Sequence, residues 1–141
     1  MIMRTRLAIV AILLLCIPVS SPAVKVISNP DVVVGQISLS KLRAIFSMRT
    51  TAWSNGRPIR VFVLGDKDPL HSEFTKKILE IFPHQLRRAW NRQIFSGTGQ
   101  APTRVGSKAE MRARIAATPG AIGYLSEDQI DEHVKTIHIK K

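Results

Sequence analysis

The sequence predicts an α/β fold, and three observations carry that prediction. Short apolar or alternating segments that read as strands interleave with longer segments whose apolar residues recur at helical spacing. The breaks between them fall on turn chemistry, at Asn29-Pro30, Asn55-Gly56 and Pro119-Gly120. No internal repeat, low-complexity stretch or linker interrupts the alternation, so helices are expected on the faces of a mainly parallel or mixed sheet.

Each element has its own reason. "VKVIS" alternates apolar and polar residues and ends at Asn29-Pro30, which predicts a strand running into a turn. In "SLSKLRAIFSM", Ser38 is placed to cap a helix whose inner face carries Leu39, Leu42, Ile45 and Phe46. "TTAWSNGRP" is turn chemistry, and the apolar run "IRVFVL" predicts a buried strand. Leu70, Phe74, Ile78, Ile81 and Phe82 then recur at helical spacing until Pro83, which stops that helix and opens the next. In this next helix, "HQLRRAWNRQIF", the buried side is expected at Leu86, Trp90 and Ile94. "SGTGQAP" reads as a loop. Ser107 with Glu110 three residues on predicts a capping box for "SKAEMRARIAA". A turn "TPG", a strand "AIGYL", an acidic helical turn "SEDQIDE" and a closing strand "VKTIHI" complete the chain.

The 141 residues suit one domain behind a leader. "MIMRTR" is a short basic start and "LAIVAILLLCIPV" an apolar run too short for a comfortable membrane span. "SSPA" places Ser21 and Ala23 for cleavage. Residues 1–23 are therefore expected to be a signal peptide cleaved near Ala23, with residues 24–141 as one exported, periplasmic domain. Cys16, the only cysteine, lies in the leader, so disulfides, a thiol nucleophile and thiolate metal ligands are excluded from the mature domain. Cleavage would remove Arg4 and Arg6 and no acid, lowering a formal net charge of +11 by two. So basic a protein outside the cytoplasm meets anionic headgroups, cell-wall polymers and small anions. No nucleic-acid-binding fingerprint is present.

Leu42, Ile45 and Phe46 followed by Trp53 and Gly56, then "RVFVL", Phe74, "FSGTGQAP" and Thr118-Pro119-Gly120-Ala121-Ile122-Gly123-Tyr124 form a familiar order. In these pieces the chain resembles the periplasmic-binding-protein-like domain of phosphate ABC transporter substrate-binding proteins, especially their short single-domain members. The resemblance implies a single lobe of a type 2 periplasmic-binding-protein-like fold, a mixed sheet with flanking helices. It implies that Gly123 allows close backbone approach and that Tyr124 sits at the end of its strand.

It further implies that only half of a two-lobed cleft is present. Relatives that grip phosphate carry an Arg, then Ser-Gly-Thr, at the start of the helix that here begins near Leu70. Alignment on Phe74 puts Asp66 in the place of the Arg, and Leu70, His71 and Ser72 in the place of Ser-Gly-Thr. Only Ser72 keeps a hydroxyl. At ~4 Å a unit charge contributes about 4 kcal/mol at an effective dielectric near 20, so an acid in place of a cation argues against tight phosphate capture.

The candidate ligand-binding residues are accordingly His71 and Ser72, Ser96 and Thr98 in the glycine-rich loop, where consecutive amides can cradle an anion, and Ser107 at a helix start. Asp66, Asp68, His71 and Ser72 also suggest a metal site or hydrolytic triad. Acids before a helix more often cap it, and a histidine on a first turn is more often solvated. No metal, cofactor or enzymatic activity is expected. Arg87, Arg88 and Arg92 are expected on the side of their helix opposite Trp90 and Ile94. The function expected is that of an exported solute-binding-like protein holding a small anion such as phosphate weakly. The alternative is a periplasmic interaction module, with a membrane sensor or an ABC permease as partner. Dimerisation would complete the cleft from two half-sites.

Overall fold

The computed structural model describes residues 17–18, 20–97 and 99–141. Most of the expected leader, and Thr98, lie outside the described residues. Six strands form one mixed sheet in the order β2-β6-β1-β5-β3-β4. In chain order these are β1 (Val24–Ser28), β2 (Gln36–Ser38), β3 (Arg60–Val63), β4 (Thr103–Arg104), β5 (Ala121–Ser126) and β6 (Lys135–Lys140). β1 runs antiparallel to both β5 and β6, whereas β2–β6, β5–β3 and β3–β4 are parallel pairs. The helices are α1 (Leu39–Phe46), α2 (Pro69–Glu73), α3 (Pro83–Phe95) and α4 (Lys108–Ala117).

β5 is buried along its whole length, as expected of an apolar strand covered on both faces. Its register against β1 runs from Val24 opposite Ser126 to Ser28 opposite Ile122. Alternation along β5 sends neighbouring residues to opposite faces. On one face Gly123 receives α4: a Cβ there would stand 2.5 Å from Ile115 Cδ1 and 2.7 Å from Met111 Sδ. On the other face Tyr124 stacks on Phe74, with ring centroids 4.0 Å apart, and Phe46 lies 4.8 Å from Phe74. Tyr124 is thus not at the strand's end but inside it, because pairing with β1 continues to Ser126.

Gly120, at φ +75°, makes the turn from α4 into β5, and a Cβ there would lie 2.4 Å from the Pro58 carbonyl oxygen. Its own carbonyl accepts from Trp53 Nε1 at 3.0 Å and from Arg60 N at 3.2 Å. Asn29 Nδ2 donates to the carbonyls of Ile115 and Ala116, tying the end of α4 back to β1.

The helix expected from Leu70 to Phe82 stops sooner. α2 widens into a π-helical segment, Phe74–Leu79. Arg43 Nε takes the Leu79 carbonyl at 2.7 Å, and Glu80 turns left-handed at φ +56°. Phe82 consequently lies outside the helix and is exposed. α3 buries Leu86 and Trp90, whose Nε1 donates to the Phe46 carbonyl at 2.6 Å. Ile94, expected on the buried side, is exposed with Phe95, because the last turn of α3 extends beyond the surface that Trp90 covers.

Candidate functional site

The parallel strands β3 and β4 end at the same edge of the sheet, and the loops beyond them lead into α2 and α4. In α/β sheets, ligands bind outside the carboxyl ends of strands. Here that position is an open cleft of about 520 Å³, bordered by Gly65, Asp66, Lys67, Asp68, Arg87 and Arg104, with Val105 and Gly106 behind. Three cations therefore face two carboxylates.

The chain's own acids occupy several of the donors that an anion would use. Asp66 accepts from Arg87 Nε and Nη2, both at 2.9 Å, in a bidentate pair. The Arg87 hydrogen bond holds the Asp66 carboxyl below its usual range, and Asp66 in turn raises the Arg87 guanidinium. Arg87 also lies 4.9 Å over the Trp90 ring, so it does not belong to the exposed face with Arg88 and Arg92, as expected from spacing. Asp68 caps α2, accepting from Leu70 N at 2.9 Å. Glu110 reaches back to the Gly106 amide at 2.8 Å, while Ser107 Oγ accepts from Glu110 N at 3.1 Å. Arg104 has no side-chain hydrogen bond or ion pair among the described residues; it lies flat on Gly65, where a Cβ would stand 2.7 Å from its Nη2.

Behind the cleft, Tyr124 pins α2 to the sheet. Its hydroxyl accepts from Leu64 N at 2.8 Å and sits 2.5 Å from His71 Nδ1. With the Leu64 amide already donating to it, the hydroxyl donates to Nδ1, and the imidazole proton resides on Nε2. Nε2 is buried and has no hydrogen-bond partner among the described residues. Desolvation, the largest cause, depresses the His71 pKa; the carboxylates of Asp66 and Asp68 oppose the shift, and Arg87 adds to it. Burial pushes the Tyr124 phenol strongly upward, so both groups are neutral near pH 7.

The candidate residues do not gather around one cavity. His71 is fully buried, contrary to the solvated reading, because Tyr124 and Trp90 enclose its ring. Ser72 sits on α2, half-buried, with its amide bonded to the Asp68 carbonyl at 3.1 Å. Ser107 caps α4 next to Gly106 at the cleft's border. Ser96 belongs to the end of α3, where its Oγ donates to the Gln93 carbonyl at 2.8 Å, and Thr98 lies outside the described residues. No triad assembles from Asp66, His71 and Ser72, since Asp66 turns to Arg87 and His71 to Tyr124. Side-chain ligand atoms of Asp131, Glu132 and His133 come within 4.8 Å of one another on the surface, where His133 N also donates to Asp131 Oδ1 at 3.0 Å. Sequence reasoning missed Arg87 and Arg104 as cleft residues: 21 positions separate Asp66 from Arg87, and no periodicity links them.

The chain belongs to the family whose model, described as a PBP superfamily domain, matches residues 9–138. In fold it is similar to an ABC-type phosphate transport receptor from Vibrio cholerae, at 15% identity and a TM-score of 0.65, covering 85% of this chain and 47% of that one. It is likewise similar to PstS from Borrelia burgdorferi, at 16% identity and a TM-score of 0.67, covering 86% of this chain and 49% of that one. The chain spans about half the length of these solved structures. No curated protein matches it.

Proposed function

We propose that this chain is an exported, periplasmic solute-binding-like protein that holds a small anion such as phosphate weakly in the cleft beyond β3 and β4. The observation that carries the reading is the split fate of the cleft's arginines. Arg104 makes no side-chain hydrogen bond or ion pair among the described residues and can meet an anion, whereas Arg87 is engaged by Asp66. The family match and the likeness to phosphate receptors support a solute-binding ancestry. The engaged Arg87 and the Glu110-bonded Gly106 amide argue for low affinity.

Ser107, which caps α4 beside Gly106, is the hydroxyl we expect to assist an anion there, and Ser72 on α2 stands behind the Asp66 loop. His71 acts from behind by fixing α2. Ser96, at the end of α3, does not border that cleft. The cleft is open to solvent, so a second copy of the chain could supply a further wall. An ABC permease or membrane sensor would be the downstream partner of such a protein. No helix among the described residues is long and apolar enough to cross a membrane, and the expected leader would be removed on export.

Titration calorimetry with phosphate, sulfate and succinate tests the proposal. Dissociation constants on the order of millimolar are expected, equivalent to about 4 kcal/mol of binding free energy. Arg104→Gln should weaken the phosphate signal by about tenfold. Absence of heat and of any melting shift at millimolar anion would remove the reading.

A further inference from the structure

A second basic region lies away from this cleft, at the start of β3. Two adjoining concavities, of about 460 and 590 Å³, share Pro58 and Arg60 in their walls. Arg57 and Arg114 line the first and Arg49 the second, and no Asp or Glu among the described residues lines either. All four arginines are exposed.

Their engagements leave them able to bind a partner. Arg60 has no side-chain hydrogen bond or ion pair among the described residues. Arg114 lies 5.2 Å over the Phe62 ring and reaches Glu110 only at 3.6 Å. Arg49 Nε donates to Ser47 Oγ, a neutral partner, at 3.0 Å. Arg57 pairs with Asp31, with its side chain still half exposed. Between the guanidinium groups, Pro58, Phe62 and Pro119 give the first concavity apolar wall alongside Thr103 and Thr118, while the second is more polar, with Thr51, Gln93 and Gln100 beside Ala52 and Ile59.

From this arrangement we propose that the continuous groove through Arg57, Arg60, Arg114 and Arg49 docks an extended acidic segment of a partner protein. Guanidinium forks match carboxylates in a bidentate manner. An extended peptide alternates its side chains, so carboxylates can meet the arginines while apolar neighbours rest on Pro58 and Pro119. The ligand class follows from shape and charge together. Two joined concavities are more than one small ion fills, and a flat lipid surface reaches only their rims. This groove is separate from the cleft beyond β3 and β4, and the proposal does not rest on anion binding there.

The test uses the protein purified after expression of the full chain. The probe is a short fluorescent peptide alternating Asp or Glu with Val, compared with its Asn/Gln counterpart. Pyrophosphate and phosphatidylglycerol vesicles serve as competitors. Fluorescence anisotropy should show binding of the acidic peptide alone, weakened about tenfold by Arg60→Glu and unchanged by Arg88→Glu, a residue that lines neither concavity. Arg60→Gln, which removes the charge of an exposed side chain without adding an acid, should weaken binding less but measurably, with an unchanged melting temperature. Equal weakening by Arg88→Glu would reduce the effect to net charge and overturn the proposal. So would equal binding of the Asn/Gln peptide, or tighter binding to the vesicles or to pyrophosphate than to the acidic peptide.

Discussion

Burying His71 between Tyr124 and Trp90 leaves a neutral imidazole that acid can charge only by weakening the fold. Its native pKa is depressed, so below about 6.5 the unfolded chain binds a proton that the native chain does not. This contribution to stability is therefore fully present above that pH and declines as pH falls towards the depressed native value. Urea midpoints between pH 7.5 and 5.5 should drop for the wild type and stay flatter for His71→Gln. An identical pH dependence in both proteins would show that His71 is not the group responsible. Tyr124→Phe should cost about 1–3 kcal/mol at neutral pH, since it leaves the Leu64 amide and His71 Nδ1 buried without a partner. The tyrosine was legible in "AIGYL" as a strand residue. Its bond to His71 was not, because 53 positions separate the two and the fold alone brings them together.

At the scale of elements, the two glycines of "TPGAIGYL" carry different constraints. Gly120 needs a positive φ and lies against a backbone carbonyl, which cannot move aside easily. Gly123 faces the tips of Ile115 and Met111, which are flexible. Gly120→Ala is therefore expected to destabilise more than Gly123→Ala, for which about 1–3 kcal/mol is the usual cost of overpacking. Chemical denaturation of the two variants orders them, and the reverse order would contradict this account of the turn. Long, periodic segments were readable here: α1 with its Ser38 cap, α4 with Ser107, and the strands β1, β5 and β6 all lie where their patterns place them. β2 and β4 were not readable. At three and two residues they have too few positions to show alternation, and backbone pairing to β6 and β3 defines them. The π-helical end of α2 was hidden for a related reason, since Arg43, from another helix, takes the Leu79 carbonyl and helps to end it.

Across the whole molecule, basic charge is unevenly matched. At the β3–β4 cleft Asp66 answers Arg87, whereas no Asp or Glu among the described residues lines the Arg60 groove, where Asp31 and Glu110 pair with Arg57 and Arg114 from outside the lining. Asp66 was legible in the sequence as a residue of the loop before α2, and it borders the cleft. The compensating arginine was not, because Arg87 arrives from α3, and its pairing with Asp66 depends on how that helix packs through Trp90. If a second copy completes the cleft, sedimentation should show a dimer that Lys67→Glu weakens; a monomer at all concentrations, with and without phosphate, would exclude it.

The most direct measurement compares phosphate binding by the wild type and by Asp66→Asn in calorimetry. With the carboxylate gone, Arg87 and Arg104 would both face the anion, and the dissociation constant should fall by about tenfold or more at low salt. Submicromolar binding by the wild type, or no gain in the variant, would contradict the claim that the chain's own acid holds the arginine an anion would need.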